Sequence, residues 1–161
     1  MKITEGSLHQ AQKGMALVVS LIFLLLLTLI GVSSMQNATL QEKMAGSVKL
    51  RNESFQIAEA ALRAGETAVQ SAGFNLPVCR YCLPPPESTR VIAAGVYAGS
   101  GQSSGVAWLA ADKGFYMIQN IGVTNMAANL PAGAVATLYR VTAVGLRGHS
   151  RSVLESVYAK Y

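Results

Sequence analysis

Between Met15 and Gln41 the chain carries no charged residue, and Met15–Val32 is apolar apart from Ser20, Thr28 and Gly31. This run constrains the fold more than any other feature. About 20 apolar residues in a helix rising about 1.5 Å per residue span a bilayer core. The apolar core of a secretory signal is usually ~7–15 residues long, and this run exceeds that. The small residues Val32, Ser33 and Ser34 leave removal by ordinary signal peptidase open as an alternative. Charge does not decide the orientation: Lys2 and Lys13 precede the run, while Lys43, Lys49 and Arg51 follow it.

The run also accounts for much of the composition. Hydrophobic residues make up 51% of the 161 and charged residues only 13%, which is apolar for a soluble globule. The length allows one domain. The formal net charge of +5 permits a polyanion or an anionic lipid as partner, but on so sparsely charged a chain it more often signals nothing specific.

Residues 1–14 are polar and without hydrophobic period, so they read as a leader or disordered tail. No proline occurs before Pro77. After the oily run, Leu40, Met44, Val48, Phe55, Ala58, Leu62 and Val69 recur at intervals of three, four or seven, the mark of a helix with one apolar stripe. Glu59 and Arg63 are spaced to pair weakly on one face. Gly73 followed by Pro77 is a stop signal. The spacing therefore predicts one continuous helix from about Met15 to Ala72, about 85 Å long. Residues 15–35 form its transmembrane part and residues 36–72 its amphipathic continuation. Gly31, Gly46 and Gly65 weaken it by roughly 1 kcal/mol each and offer points of close approach for neighbouring helices.

After Gly73 the character changes. "FNLPVCRYCLPPPESTR" reads as a loop, "VIAAGVYA" as a candidate strand and "GSGQSSG" as a flexible link. "VAWLA", "GFYMIQNIG", "TLYRVTAVG" and "RSVLESVYA" are short runs rich in β-branched and aromatic residues, separated by turns such as "GLRGHS". They predict an antiparallel meander of three to five strands over residues 73–161. That is thin for an independent core, and the helix stripe is the natural cover for one sheet face. The expected class is α+β, a long N-terminal spine with a small antiparallel sheet head on its second half.

Several motifs suggest chemistry and mostly have plainer readings. Gly101–Gly105 ("GQSSG") matches G-x-S-x-G, with Asp112 and His149 following in hydrolase order. The elbow needs a strand before it and a helix after it in a large sheet, and a Gly/Ser loop is the better account. Cys79 and Cys82 form C-x-x-C. Zinc would need two more ligands, and His9 and His149 are the only histidines. A small disulfide stiffening a proline-rich loop is the expectation in an oxidising compartment. Arg140, Arg147 and Arg151, with His149 and Lys160, are a candidate basic patch for DNA or another polyanion. Without interleaved aromatics, a solvated strand edge is the plainer reading. Trp108 and Tyr116 are assigned to the core. No cofactor or metal is implied.

A helix oily at one end and striped at the other suits an element that bundles with relatives of itself. Outside lipid, its bare half must be covered by other helices or it aggregates. "QKG" followed by "MALVVSLIFLLLLTLIGVSS" resembles a type IV prepilin, and "TLQEKMAG" and "AEAALR" resemble the PilX-type minor pilins. The resemblance covers residues 12–66 and takes in the ending "YRVTAVG" and "SVLESVY", while the middle, Gly73–Gly122, is much less similar. It implies cleavage by prepilin peptidase between Gly14 and Met15, methylation of the new N-terminus, storage in the bacterial inner membrane with a periplasmic head, and assembly into a surface pilus.

It also implies other minor pilins, the major pilin and a tip adhesin as partners, and no catalysis. Major pilins carry glutamate at the fifth mature position, where this chain has Val19. In the family that carboxylate is held to meet a neighbour's N-terminal amine, since a buried unpaired ammonium is costly. A subunit lacking it is best tolerated at the filament tip. The expected role is a minor pilin that helps prime assembly at or near the tip. The alternatives are a K-like pseudopilin of a type II secretion system and a single-pass envelope protein with a solute- or DNA-binding head.

Overall fold

The computed structural model describes the backbone of residues 8–13 and all of residues 14–98 and 102–161. Residues 1–7 of the expected leader, and Gly101 of the G-x-S-x-G match, lie outside the described residues. Helix α1 runs Leu8–Gln70, beginning inside the expected leader and stopping short of Ala72. Gly73 adopts φ 77°, a left-handed conformation that ends a helix, and the Phe74 amide donates to the Ser71 carbonyl at 3.2 Å.

Two compact units form, Met1–Gly46 and Ser47–Tyr161. In the first, every described side chain from Gly14 to Gly46 is exposed. In the second, the rest of α1 packs on an antiparallel sheet. The strands are β1 (Gly95–Val96), β2 (Ala107–Ala111), β3 (Gly114–Thr124), β4 (Ala136–Arg147) and β5 (Ser150–Lys160), arranged in chain order. The α+β, pilin-like architecture read from the sequence is the one observed. "VIAAGVYA" contributes only two residues of strand. The Tyr97 hydroxyl receives the Ile92 and Ala93 amides and donates to the Ala93 carbonyl, all at 2.8 Å, taking backbone groups that a longer ladder would use.

Strand alternation divides the core between the two sheet faces. On the α1 face, Ile118, Tyr139 and Val141 bury against Val69, with Leu62 and Tyr116 beside them. On the opposite face, Trp108, Met117 and Val144 bury against Val91, with Tyr97 and Phe115 beside them. The irregular chain after Gly73 thus supplies a second covering layer. Within it, the buried Glu87 accepts from the Ser104 amide and hydroxyl, tying the 3-10 turn Pro86–Thr89 to the segment that leads into β2.

The buried line of α1 differs from the expected stripe. Ser54, Ala58, Ala61, Gly65 and Val69 are buried, whereas Phe55 is 49% exposed. Small residues line this contact because the helix lies almost backbone to backbone on the sheet. A methyl group added to Gly145 would overlap the Ser54 carbonyl and the Ala58 amide. One added to Gly114 would lie 3.0 Å from both Ala61 Cβ and the Ile57 carbonyl. Gly65 is filled from the other side by Val141 and Tyr116, so it admits the sheet and not a neighbouring helix.

Ser54 fastens the seam. Its hydroxyl lies 2.9 Å from the Arg51 carbonyl, 3.0 Å from the Ser150 hydroxyl and 2.8 Å from that of Ser152. Gly145→Ala should lower unfolding free energy by about 1–3 kcal/mol through overpacking against backbone. Gly46→Ala, whose added methyl meets nothing, should cause no loss. Urea denaturation of the full chain in detergent checks both.

Candidate functional site

The most exposed apolar surface lies on the first unit of α1. Met15 is 71% exposed, Val19 56% and Phe23 63%, and they share a face with Leu27. Each such aliphatic or aromatic side chain left in water forgoes about 1.5–3 kcal/mol. The segment is long and apolar enough to cross a membrane. Its few polar side chains are satisfied within the helix. Ser20 donates to the Leu17 carbonyl at 2.9 Å, and Thr28 to Leu25 at 2.8 Å. Both hydroxyls can therefore enter lipid, or a sheath of apolar helices, without an unmade hydrogen bond. The Gly14–Met15 junction lies inside the helix.

In the head, Cys79 and Cys82 are bonded, with Cα atoms 5.3 Å apart. Their loop is docked by Arg140 of the candidate patch and by two side chains that sequence reasoning did not single out, Gln119 and Asn120. Gln119 donates to the Tyr81 carbonyl at 2.7 Å, and Asn120 to the Leu76 carbonyl at 2.7 Å. Arg140 donates to the Cys82 carbonyl at 2.6 Å, and the Asn120 carbonyl accepts from the Cys79 amide at 2.9 Å. The signal was present as two adjacent amides in an otherwise apolar strand run. Such residues persist at a strand centre when they serve backbone groups elsewhere.

The three arginines of the candidate patch are not gathered together. Register places Arg147 on the α1 face of the sheet and Arg140 and Arg151 on the other. Each is engaged within the head. Arg140 Nε meets Glu155 at 2.9 Å and Arg147 Nε meets Glu53 at 2.6 Å. Arg151 Nη1 donates to the Ser88 and Val91 carbonyls at 3.0 and 2.8 Å. Lys160 serves the end of α1, which has no basic residue in its own last turn. Its Nζ donates to the carbonyls of Val69 at 2.9 Å, Ser71 at 2.8 Å and Phe74 at 3.3 Å.

Ser103, Asp112 and His149 fall in separate places, Ser103 in the irregular chain before β2 and the other two in different hairpin turns. Ser103 Oγ accepts the Gly105 amide at 3.1 Å, Asp112 sits in the β2–β3 turn at φ 50°, and His149 is in the β4–β5 turn. Among the described residues, no group of three or more His, Cys, Asp or Glu gathers to hold a metal.

Residues 13–63 match the family model described as PilX N-terminal. Over that stretch, less than half of the chain, the sequence is similar to the N-terminal region of the PilX family. No curated protein and no solved structure matches the chain at a significant level. The PilX-type region spans the exposed apolar unit and the start of the buried line, while the sheet lies outside it.

Two changes probe the head of this chain. Gln119→Ala removes the side-chain bond to the Tyr81 carbonyl and should speed tryptic cleavage after the exposed Arg80 on the order of tenfold, the equivalent of one charge-free hydrogen bond or slightly more. A time course of proteolysis checks it. Lys160→Met should cost about 1–3 kcal/mol and raise amide exchange in the last turn of α1, read by thermal melts and hydrogen exchange.

Proposed function

We propose that this PilX-type chain is stored in the inner membrane through residues 15–35, is cut by prepilin peptidase between Gly14 and Met15, and is methylated on Met15. It then helps to prime the pilus and sits at or near its tip. The observation that carries this reading is an exposed, charge-free helix with valine at position 19. Such a surface fits equally between lipid tails and between sibling helices, so leaving the membrane for a filament core exchanges one apolar environment for another. Without a carboxylate at Val19, the subunit offers no partner to a neighbour's ammonium, and a buried ammonium with no partner costs several kcal/mol. The cost vanishes where no subunit sits above, which is the tip. The partners are then the major pilin and other minor pilins below, a tip adhesin beside or above, and prepilin peptidase before assembly. The loop held by Cys79 and Cys82 is a stiffened part of the head surface that meets them.

Intact mass of the mature protein tests the first step. A chain beginning at methylated Met15 is expected. A chain retaining Met1, or one lacking everything through Ser34, overturns the reading. Val19→Glu tests the placement. It should change pilus number or length by admitting the subunit to the shaft or by disturbing priming, and unchanged pili would count against tip placement.

A further inference from the structure

The two edges of the sheet are unlike. β1 ends one side with two residues, Gly95–Val96. β5 ends the other with an 11-residue strand that pairs with β4 in unbroken register and contains neither glycine nor proline. No residue of β5 is buried. Long straight edges are normally blunted by a bulge, a proline or charged side chains on the strand, inward-pointing ones included. Here the two cations lie near the ends of the strand, Arg151 on the Ser88 and Val91 carbonyls and Lys160 on the end of α1, which leaves Glu155 as the one charge between Ser152 and Ala159.

The direction of the free backbone groups follows from the hairpin. β4 and β5 join through Gly148 and His149, with Arg147 opposite Ser150. A two-residue hairpin closes on a hydrogen-bonded pair. The even-numbered residues of β5 therefore bond to β4, and Arg151, Val153, Glu155, Val157 and Ala159 direct their amides and carbonyls outward. The same alternation carried across to β3 turns Asn120 outward on the far side, where its carbonyl does accept the Cys79 amide.

We propose that the β5 edge is a docking site for an extended strand of a different polypeptide, one with β-branched residues on either side of a lysine or arginine. The outward-bonding residues set the chemistry. Val153 and Val157, 42% and 53% exposed, flank Glu155 on the face away from α1. Arg140 takes Glu155 Oε1 at 2.9 Å, and Oε2 has no hydrogen bond among the described residues. An arriving strand gains the outward backbone bonds, two cross-strand contacts to valine and one cation on the open carboxylate oxygen. A second copy fits less well, because the register that pairs all five outward residues sets Glu155 against Glu155. The site belongs to the head, so it stands or falls independently of the N-terminal cleavage.

The test uses the full chain in detergent micelles, with amide exchange read by NMR. The probes are acetyl-Thr-Val-Thr-Lys-Thr-Val-Thr-amide and the same peptide with glutamate in place of lysine. With the lysine peptide, the amides of Val153, Glu155 and Val157 should slow by about tenfold or more, while those of Leu154 and Ser156, already bonded to β4, stay as they are. The glutamate peptide should need about tenfold more for the same protection. Val153→Pro removes one outward amide without touching the β4 ladder and should abolish the effect, with the Leu154 and Ser156 amides reporting an intact fold. Val153→Lys with Val157→Lys is a second block that needs no proline. The proposal is overturned by no protection, by equal protection from both peptides, by protection that survives in the lysine variant, or by protection that appears without peptide as the protein concentrates into a dimer.

Discussion

The head depends on a backbone-to-backbone contact between α1 and the sheet. Gly145 admits the carbonyl of Ser54 and the amide of Ala58, Gly114 admits Ala61, and Gly65 admits Val141 and Tyr116. Gly114 and Gly145 against Ser54, Ala58 and Ala61 make one part of the helix–sheet interface, while Leu62, Val69, Tyr116, Ile118, Tyr139 and Val141 fill the rest. Close approach multiplies weak dispersion contacts along the seam. It also leaves no room for a polar group without a partner, and Ser54 meets that condition by bonding to Arg51, Ser150 and Ser152 at once. Much of the remaining architecture follows. Large side chains that do not fit between helix and sheet, such as Trp108, Met117 and Phe115, lie on the other face, where the irregular chain after Gly73 covers them.

One helix thus meets two different demands. Along Ser54–Val69 it buries small residues permanently within its own head. Along Met15–Val32 it shows large aliphatic side chains and satisfies its hydroxyls internally, so that any apolar surroundings will serve. The first demand rewards a single fixed geometry. The second rewards indifference to the detail of whatever surrounds the segment. The head repeats this economy in its charges. Arg140, Arg147, Arg151 and Lys160 tie strands, loop and helix end together.

What was legible in the residues followed strong periodic signals. The charge-free run marked the apolar helix, the 3.6-residue period carried it toward Gly73, and the β-branched runs marked β2 to β5. The buried line was misread at Phe55 because serine, alanine and glycine give almost no hydrophobic signal, although they alone allow the close seam. The candidate patch of arginines is not gathered on one surface because nearness along the chain says nothing about sheet face. A one-residue shift in a strand reverses the side on which a residue lies, and Arg147 and Arg140 differ by an odd number of positions. Gln119 and Asn120 were passed over although two amides in an apolar strand marked them, because the carbonyls they serve lie some forty positions earlier in the chain.

By itself the sequence determined that an apolar helix leads the chain, that a meander follows it, and that position 19 lacks an acid. Those are properties of composition and local period, which a chain carries whatever it later contacts. Only the tertiary structure decided that glycines bring helix and sheet close together near Ser54–Ala61, that the arginines are internal ties, and that β5 is left as the long open edge. Each of those depends on which distant residues come to lie within a few ångströms, and that is set by register and packing across the whole head.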